Sequence, residues 1–355
     1  MYFDYAATTP MTNKTKTKLI QALNQPYANY NSLHPLGKAT AKTITESVTK
    51  IKAAFNLKPE QEIIFTSGAT EANNLVFKSL YQQSGKNHVI ISPFEHPSIL
   101  AVVSALQKQG LKVSIAPIDK QGQIKIDALL ACITKETFLI SFVSCESEMG
   151  IRQDIVKISQ AIKKHHPDIM IHSDMTQSIF KLDLDYGALD FVSFSGHKLG
   201  SMVGIGGLIT LSNQALLPQI HGGKSYHPSR AGTVPYEAIL SLRFALEEPL
   251  QPFSDAFIKS LEKTPGVLLN RFAHCSPYIL NISVLKHHRQ ASLALLAQHN
   301  ICVSLGSACS RQAQSRNVAL LFNEQRAKNA VRISFNEYHQ KQYHLLKQYL
   351  KELAR

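Results

Sequence analysis

The run Phe138-Leu139-Ile140-Ser141-Phe142-Val143 is apolar at nearly every position. A strand of that kind has no polar face to show to water. It needs cover on both sides, which an open, mostly parallel sheet with helices on each face provides. Similar short runs recur at Glu62 to Thr66, His88 to Ser92, 111–116, Ile169 to Asp174, 190–194 and Gly206 to Leu211. The segments between several of them carry helical periodicity. Residues 38–56 place Ile44, Val48, Ile51 and Phe55 at steps of three and four, and 98–109 and 154–165 also read as helices. This alternation predicts an α/β domain built on a mostly parallel central sheet with helices on both faces.

The pattern changes after a loop from Lys224 to Pro235. Residues 236–262 read as one long connecting helix. Strands follow at 278–284, 301–305 and 331–335, with a C-terminal helix from about residue 339. The expected division is a large α/β domain over 14–235, and a smaller α+β domain formed by 1–13 together with 236–355. Met1 to Pro10 reads as an extended segment, Thr12 as the cap of a helix over 13–25, and Asn29 to Gly37 as a polar loop.

The chain has 355 residues, 44% of them hydrophobic, which is ample for a sizeable core. Charged residues make up 18%, too few for a disordered or coiled-coil chain. The net charge is +13, but Lys and Arg are scattered with no basic run of five. A surface that attracts anionic substrates or an acidic partner is therefore expected, and no direct nucleic-acid site. Five cysteines, Cys132, Cys145, Cys275, Cys302 and Cys309, are odd in number and form no CxxC pair. That argues against a disulfide framework and a cysteine zinc site, and fits a reducing, cytoplasmic setting. No signal peptide is read at the polar N-terminus, and no apolar run is long enough to make the membrane a partner.

In open α/β sheets ligands bind beyond the carboxyl ends of the strands. Thr70, His96, Asp174, Ser195, His197 and Lys198 all fall at such ends. A lysine directly after an apolar strand, flanked by small donors, suits a Schiff base with an aldehyde cofactor, and pyridoxal phosphate fits the whole set. Lys198 would hold it, and Asp174 would keep its ring nitrogen protonated. His96 would stack on the ring, Gln177 would meet the phenolic oxygen, and Thr70, Ser195 and His197 would bind the phosphate. The Ser67-Gly68-Ala69-Thr70 turn feeds a helix N-terminus, whose free N–H groups favour an anion. Cys309, in Gly306-Ser307-Ala308-Cys309-Ser310, reads as an exposed thiol on a small-residue loop, a good nucleophile toward sulfur. Cys302, by contrast, reads as a buried structural cysteine. Arg332 is either a carboxylate ligand or half of an inter-domain ion pair.

These residues sit in motifs whose order resembles that of the NifS/IscS-like cysteine desulfurases, in the class V aminotransferase group of fold-type I pyridoxal phosphate enzymes. The resemblance runs from residue 2 to about 336. It includes Phe3-Asp4-Tyr5-Ala6-Ala7-Thr8-Thr9, the stretch from Phe65 to Asn74, Glu95-His96-Pro97-Ser98, His172-Ser173-Asp174, Ser193 to Lys198, Arg230-Ala231-Gly232-Thr233, Gly306 to Ser310 and Val331-Arg332-Ile333-Ser334.

The resemblance implies a homodimer that converts L-cysteine to alanine, with Lys198, His96 and Cys309 catalytic. Sulfur would be left as a persulfide on Cys309 for a sulfur-acceptor protein. It implies Ala69, Thr70, Asp174, Gln177, Ser195 and His197 around the cofactor, and Thr233 on the phosphate of the other subunit. Arg332 and Ser147 would face the substrate. An Fe–S scaffold, a tRNA-thiolation enzyme and a thiamine-pathway carrier are the acceptors it allows. No metal is expected. Where the family usually has Asn-Asn-Glu, this chain has Glu146-Ser147-Glu148, and an acid there is expected to repel the substrate carboxylate. A selenocysteine lyase, another class V aminotransferase-type enzyme and a low-activity desulfurase relative are the alternatives.

Overall fold

The computed structural model describes residues 1–182, 185–223, 226–306, 314–334 and 342–354. Seven strands form the larger sheet: β1 (Glu62–Thr66), β2 (His88–Ile91), β3 (Lys112–Ile115), β4 (Thr137–Ser141), β5 (Met170–Asp174), β6 (Phe191–Ser195) and β7 (Gly206–Thr210). Their spatial order is β1-β7-β6-β5-β4-β2-β3. Every pairing is parallel except those of β7, which runs antiparallel to both β1 and β6. The mostly parallel sheet expected from the apolar runs is the one observed.

Side-chain alternation along each strand splits the interior into two cores. Ile63, Phe65, Ile90, Ile140, Val192 and Phe194 face one side, where Ile44, Val48 and Ile51 of helix α2 cover them. Ile64, Val89, Ile91, Leu139 and Phe191 face the other, under Leu75 and Val76 of α3 and Ile99 and Val102 of α4. Each fully buried aliphatic or aromatic side chain of this kind contributes about 1.5–3 kcal/mol. Helix α1 spans Asn13–Leu23, α2 Pro35–Ala54, α3 Ala69–Ser84 and α4 Pro97–Gln107. Thr12 caps α1 as expected, its side chain accepting from Thr15 N–H. The α2 helix begins earlier than the periodicity implies, because His34 accepts from Gly37 N–H as N-cap and Pro35 takes the first turn.

A second sheet, β10-β9-β8, is antiparallel: β8 (Val267–Leu269), β9 (Ile279–Val284) and β10 (Ala330–Ser334). It has its own core, in which Phe3, Phe257, Leu280, Ile282, Val331 and Leu346 pack together.

The single helix expected over 236–262 is two helices, Tyr236–Ala245 and Asp255–Glu262. Pro249 and Pro252 fall between them and cannot donate to a helical ladder. The first of the two packs on α1 and α2, and its Ile239 and Leu242 join the large-sheet core. Residues 301–305 do not form a ladder strand; Cys302 and Ser304 make only isolated bridges, to Tyr2 and Arg332. Cys302 is exposed, not buried, because Ile301 and Val303 on either side take the inward positions. Three helices of the second half, Arg289–Gln298, Arg316–Leu321 and Glu324–Asn329, and strand β8 were not signalled by the sequence pattern.

The segment at residues 2–9 joins the two halves. Phe3 N–H donates to Cys302 O at 2.8 Å, and Ser334 N–H to Phe3 O at 2.8 Å. A few residues on, Thr9 N–H donates to His197 O at 2.9 Å.

Candidate active site

At the carboxyl ends of β4, β5 and β6 lies a cavity of about 260 Å³. Ala69 and Thr70 from the start of α3, His96 from the start of α4, and Asp174 and Gln177 from the end of β5 line one part of it. Ser195, His197 and Lys198 from the end of β6, with Ser147 and Arg332, complete the set. Ten of the twelve residues singled out from the sequence therefore share one cavity. Thr233 does not; it is exposed and lines a separate hollow with Tyr30 and Tyr236. Cys309 lies outside the described residues.

Lys198 follows β6 in a short turn, Gly196–Lys198. Its Nζ donates to Ala6 O at 2.8 Å and to Ala7 O at 2.6 Å. His197 meets Thr8 Oγ1 at 3.0 Å through Nδ1. Burial, with Lys198 and Lys181 nearby, pushes its pKa down to about 4, so the ring is neutral. Ser195 Oγ accepts from Ala69 N–H at 2.8 Å, which fixes the hydroxyl over the first turn of α3.

No side chain caps α3 at Gly68. Gly206 lets β7 pass directly under that turn, since a Cβ at position 206 would lie 2.5 Å from Gly68 Cα. The turn is closed from outside by Arg230, whose Nε sits 2.9 Å from Glu71 Oε1. Burial would raise the Glu71 carboxyl, but the Arg230 guanidinium and Ser67 N–H hold it below its ordinary value. The result is an N-terminus of a 16-residue helix with no bond from its own N-cap residue and with Ser195 Oγ taking the Ala69 N–H, bordered by hydroxyls and a lysine, which suits a phosphate.

Asp174 accepts from Thr176 N–H at 3.0 Å and from Asn73 Nδ2 at 3.2 Å. The neighbouring Glu95 is buried, and burial together with Asp174 pushes its pKa up to about 8, so it stays protonated at neutral pH. His96 caps α4, its Nδ1 accepting from Ser98 N–H at 3.1 Å. Burial and Lys198 lower its pKa against the pull of Asp174.

Gln177 Nε2 donates to Ala6 O at 2.9 Å, and Lys181 Nζ lies 3.4 Å from Gln177 Oε1. A lysine only donates, so the carbonyl end of the amide must face Lys181 and the N–H end faces Ala6 and the cavity. Lys181, which no sequence pattern picked out, is pushed down to about 7 by burial and by Lys198. It follows Phe180, a bulky residue at φ 63. That left-handed backbone is strained for any side chain larger than Asn.

Arg332 is almost fully buried. It donates through Nη1 to Ser147 O at 2.8 Å and through Nη2 to Asp4 Oδ1 at 2.7 Å. The ion pair is therefore formed, while Arg332 also lines the cavity. Its Nε meets no partner among the described residues.

The repulsion expected from Glu146 and Glu148 is not what the geometry gives. Neither carboxylate lines the cavity; Cys145 and Ser147 do. Glu146 turns back to accept from Glu148 N–H and Met149 N–H at 2.5 and 2.6 Å, and from Asn317 Nδ2 at 2.9 Å. Burial and Glu148 push it up to about 7. Glu148 packs under Gly306, where a Cβ would fall 2.8 Å from its Oε1, and it faces Arg289 and Arg332. Cys145 is a further cavity residue that sequence reasoning passed over. Burial pushes its thiol up to about 12, so it stays protonated and inert.

The donor set fits pyridoxal phosphate: a lysine, an anion cradle, an acid at a strand end, and an amide N–H. An unpartnered buried hydroxyl, Thr176 Oγ1, also lies on the cavity wall.

This lysine-centred cavity on a mostly parallel sheet is that of an aminotransferase-like enzyme. The class-V aminotransferase family matches residues 1–343. Cysteine desulfurase IscS of Dictyoglomus turgidum is 32% identical over 327 residues, 87% of this chain and 82% of that protein. Cysteine desulfurase IscS of Neisseria meningitidis serogroup C is 32% identical over 94% of this chain and 87% of its own. Among solved structures, a NifS-like protein superposes with a TM-score of 0.88 at 26% identity, covering 99% of this chain and 98% of its own. SspA in complex with cysteine gives 0.82 at 28% identity, covering 94% of this chain and 98% of its own. The chain belongs to the class-V aminotransferase family and, within it, to the NifS/IscS-like cysteine desulfurases.

Proposed function

We propose that the chain is a pyridoxal-phosphate-dependent cysteine desulfurase, converting L-cysteine to L-alanine and leaving sulfur as a persulfide on Cys309. The observation that carries this reading is the convergence of Lys198, Asp174, His96 and the start of α3 on one cavity that also holds Arg332.

When bound, the cofactor supplies an aldehyde for the substrate amine and a ring that takes up the charge left by the Cα proton. Lys198 Nζ, held now by the carbonyls of Ala6 and Ala7, would be the group that anchors it. The first turn of α3, with Thr70, Ser195 and His197, would hold the phosphate. Asp174 would meet the ring nitrogen, His96 the ring face, and Gln177 would give an N–H to the phenolic oxygen. Arg332 holds the substrate carboxylate beside Ser147. The Cys309 thiolate attacks the substrate sulfur; the new S–S bond forms as the Cβ–S bond breaks, and carbon takes a proton to end as alanine.

The proposed division is a cofactor domain over 14–235 and a smaller domain from 1–13 and 236–355. Helix Tyr236–Ala245 is the joint, since it packs with the large-sheet core. The protein acts as a cytoplasmic homodimer, with Thr233 reaching the partner's phosphate. Exposed Met202, Val203, Leu217 and Ile220, in the chain between Lys198 and Thr233, support that pairing. A separate acceptor protein, an Fe–S scaffold, a tRNA-thiolation enzyme or a thiamine-pathway carrier, takes the sulfur. No helix among the described residues is long and apolar enough to cross a membrane.

The test is incubation of purified protein with L-cysteine and reductant, scoring alanine and sulfide together. Equal amounts of both are expected. Lys198→Ala should lose both products and the visible absorbance of the bound cofactor, and Cys309→Ser should lose both products while keeping that absorbance. An oxo acid in place of alanine would point to a transaminase instead. Cofactor binding without turnover would point to a degenerate relative.

A further inference from the structure

Asn73 is fully buried on α3, behind the cavity wall. Its Nδ2 donates to Asp174 Oδ2 at 3.2 Å and to Ser98 Oγ at 2.9 Å. Its Oδ1 accepts from Ser193 Oγ at 2.5 Å. A primary amide has two N–H donors and one carbonyl, so every polar atom is engaged and the amide has only one workable orientation.

Ser98 Oγ accepts from Asn73, which leaves its own proton for His96 Nδ1 at 2.9 Å. Ser98 N–H points at the same ring nitrogen, at 3.1 Å. A nitrogen that accepts twice carries no proton, so the neutral imidazole holds its hydrogen on Nε2. On its far side the network continues from Ser193 Oγ to His172 Nε2 at 3.1 Å, and from His172 Nδ1 to Ser141 Oγ at 2.9 Å.

We propose that Asn73 is a positioning residue that sets two cavity groups at once. It holds Asp174 against the cofactor ring nitrogen, and through Ser98 it fixes His96 as the tautomer that presents Nε2–H to the cavity. The Asp174 half rests on the pyridoxal phosphate reading; the His96 half stands without it. In this tautomer His96 offers Nε2–H as a hydrogen-bond donor and has no lone pair at Nε2 with which to take a proton. It cannot readily accept one at Nδ1, where an added hydrogen would face the Ser98 N–H. Lys198 is then the group left to remove the Cα proton.

The experiment uses full-length protein with isotope-labelled histidine rings, first without cofactor and then titrated with pyridoxal phosphate. In the parent, His96 should show the Nε2–H tautomer by NMR at neutral pH. Ser98→Ala removes the hydroxyl donor but keeps the backbone N–H on Nδ1, so it should shift the His96 Nδ1 signal with Nε2–H still the major tautomer, while changing cofactor affinity by less than about threefold, because the Asn73–Asp174 contact remains. Asn73→Asp replaces both donors with a carboxylate beside Asp174. It should move the same signals and weaken the cofactor by about tenfold or more.

A parent His96 protonated at Nδ1 would overturn the proposal. So would an Asn73→Asp protein with unchanged ring signals and cofactor affinity. If Asn73→Asp fails to fold, unchanged His96 signals in Ser98→Ala overturn it alone. A parent that binds no pyridoxal phosphate sinks the cofactor reading and leaves the tautomer result to be judged by itself.

Discussion

On the large-sheet side of the cavity, Asn73, Ser98, Ser193, His172 and Ser141 satisfy one another donor for acceptor. On the small-sheet side, Arg332 lines the cavity and Arg289 lies behind it near Glu148; both are almost fully buried. Arg289 Nε and Nη1 and Arg332 Nε meet no partner among the described residues. Neutral, matched groups need little solvent and hold one geometry; buried charges that are partly matched cost several kcal/mol unless another group arrives. The first wall is suited to a resident that stays, and the second to an anionic substrate that comes and goes.

Removing a charge from the second wall should have the largest effect. Arg332→Met leaves Asp4 without its guanidinium, and a broken buried pair costs about 3–5 kcal/mol. Chemical denaturation should show that loss, and KM for L-cysteine should rise. Adding Asp4→Asn should recover much of the stability and none of the KM. A double variant that regained substrate affinity would show that Arg332 serves only the ion pair.

A smaller effect is expected at Glu95, on the first wall. Its pKa in the folded chain is raised from 4.5 to about 8, so the stability it contributes is complete below 4.5 and lost as pH rises through about 8. Glu95→Gln does not titrate. It should match the parent in acid and melt progressively higher as pH rises, by at most about 1.4 kcal/mol per pH unit. A constant gap across that range would show that Glu95 is not held neutral.

Lys181 should give the opposite slope and the smallest gain. Its pKa is depressed from 10.5 to about 7, so its contribution is present above 10.5 and lost as pH falls through about 7. Lys181→Met should be the more stable protein at neutral pH, with the advantage closing toward pH 10.5. The gain is offset in part because Gln177 Oε1 loses its partner. Thermal melts across pH check both slopes.

The first wall was the more legible in the sequence. Apolar strands ending in Thr70, His96, Asp174 and Lys198 announce a rim, because strand ends in a parallel sheet share one side. Asn73 and Ser98 were visible only as parts of motifs, since their role depends on an amide and a hydroxyl meeting across two helices. Lys181 and Cys145 gave no signal, as nothing in a local pattern marks a buried amine or thiol. The small-sheet half was read less well. The break at Pro249 and Pro252 was there to be seen, but the apolar content of 236–262 outweighed it. Cys302 has bulky apolar neighbours in sequence, and alternation sends those inward and the thiol out. Glu146 and Glu148 looked like charges in the cavity, whereas the turn directs both away and leaves Ser147 between them facing in.

The segment that joins the halves has a consequence in time. Ala6 N–H donates to Ser334 Oγ across 328 positions of chain, and the Ala6 and Ala7 carbonyls receive Lys198. During synthesis residues 2–9 cannot complete their contacts until Cys302 and Ser334 have been made, though those to His197 and Lys198 need only the large-sheet half. Contacts so distant in sequence close late, after the large sheet can already have formed. Until then the segment over Lys198 is held from the large-sheet side alone, and the cover of the reactive lysine is completed last.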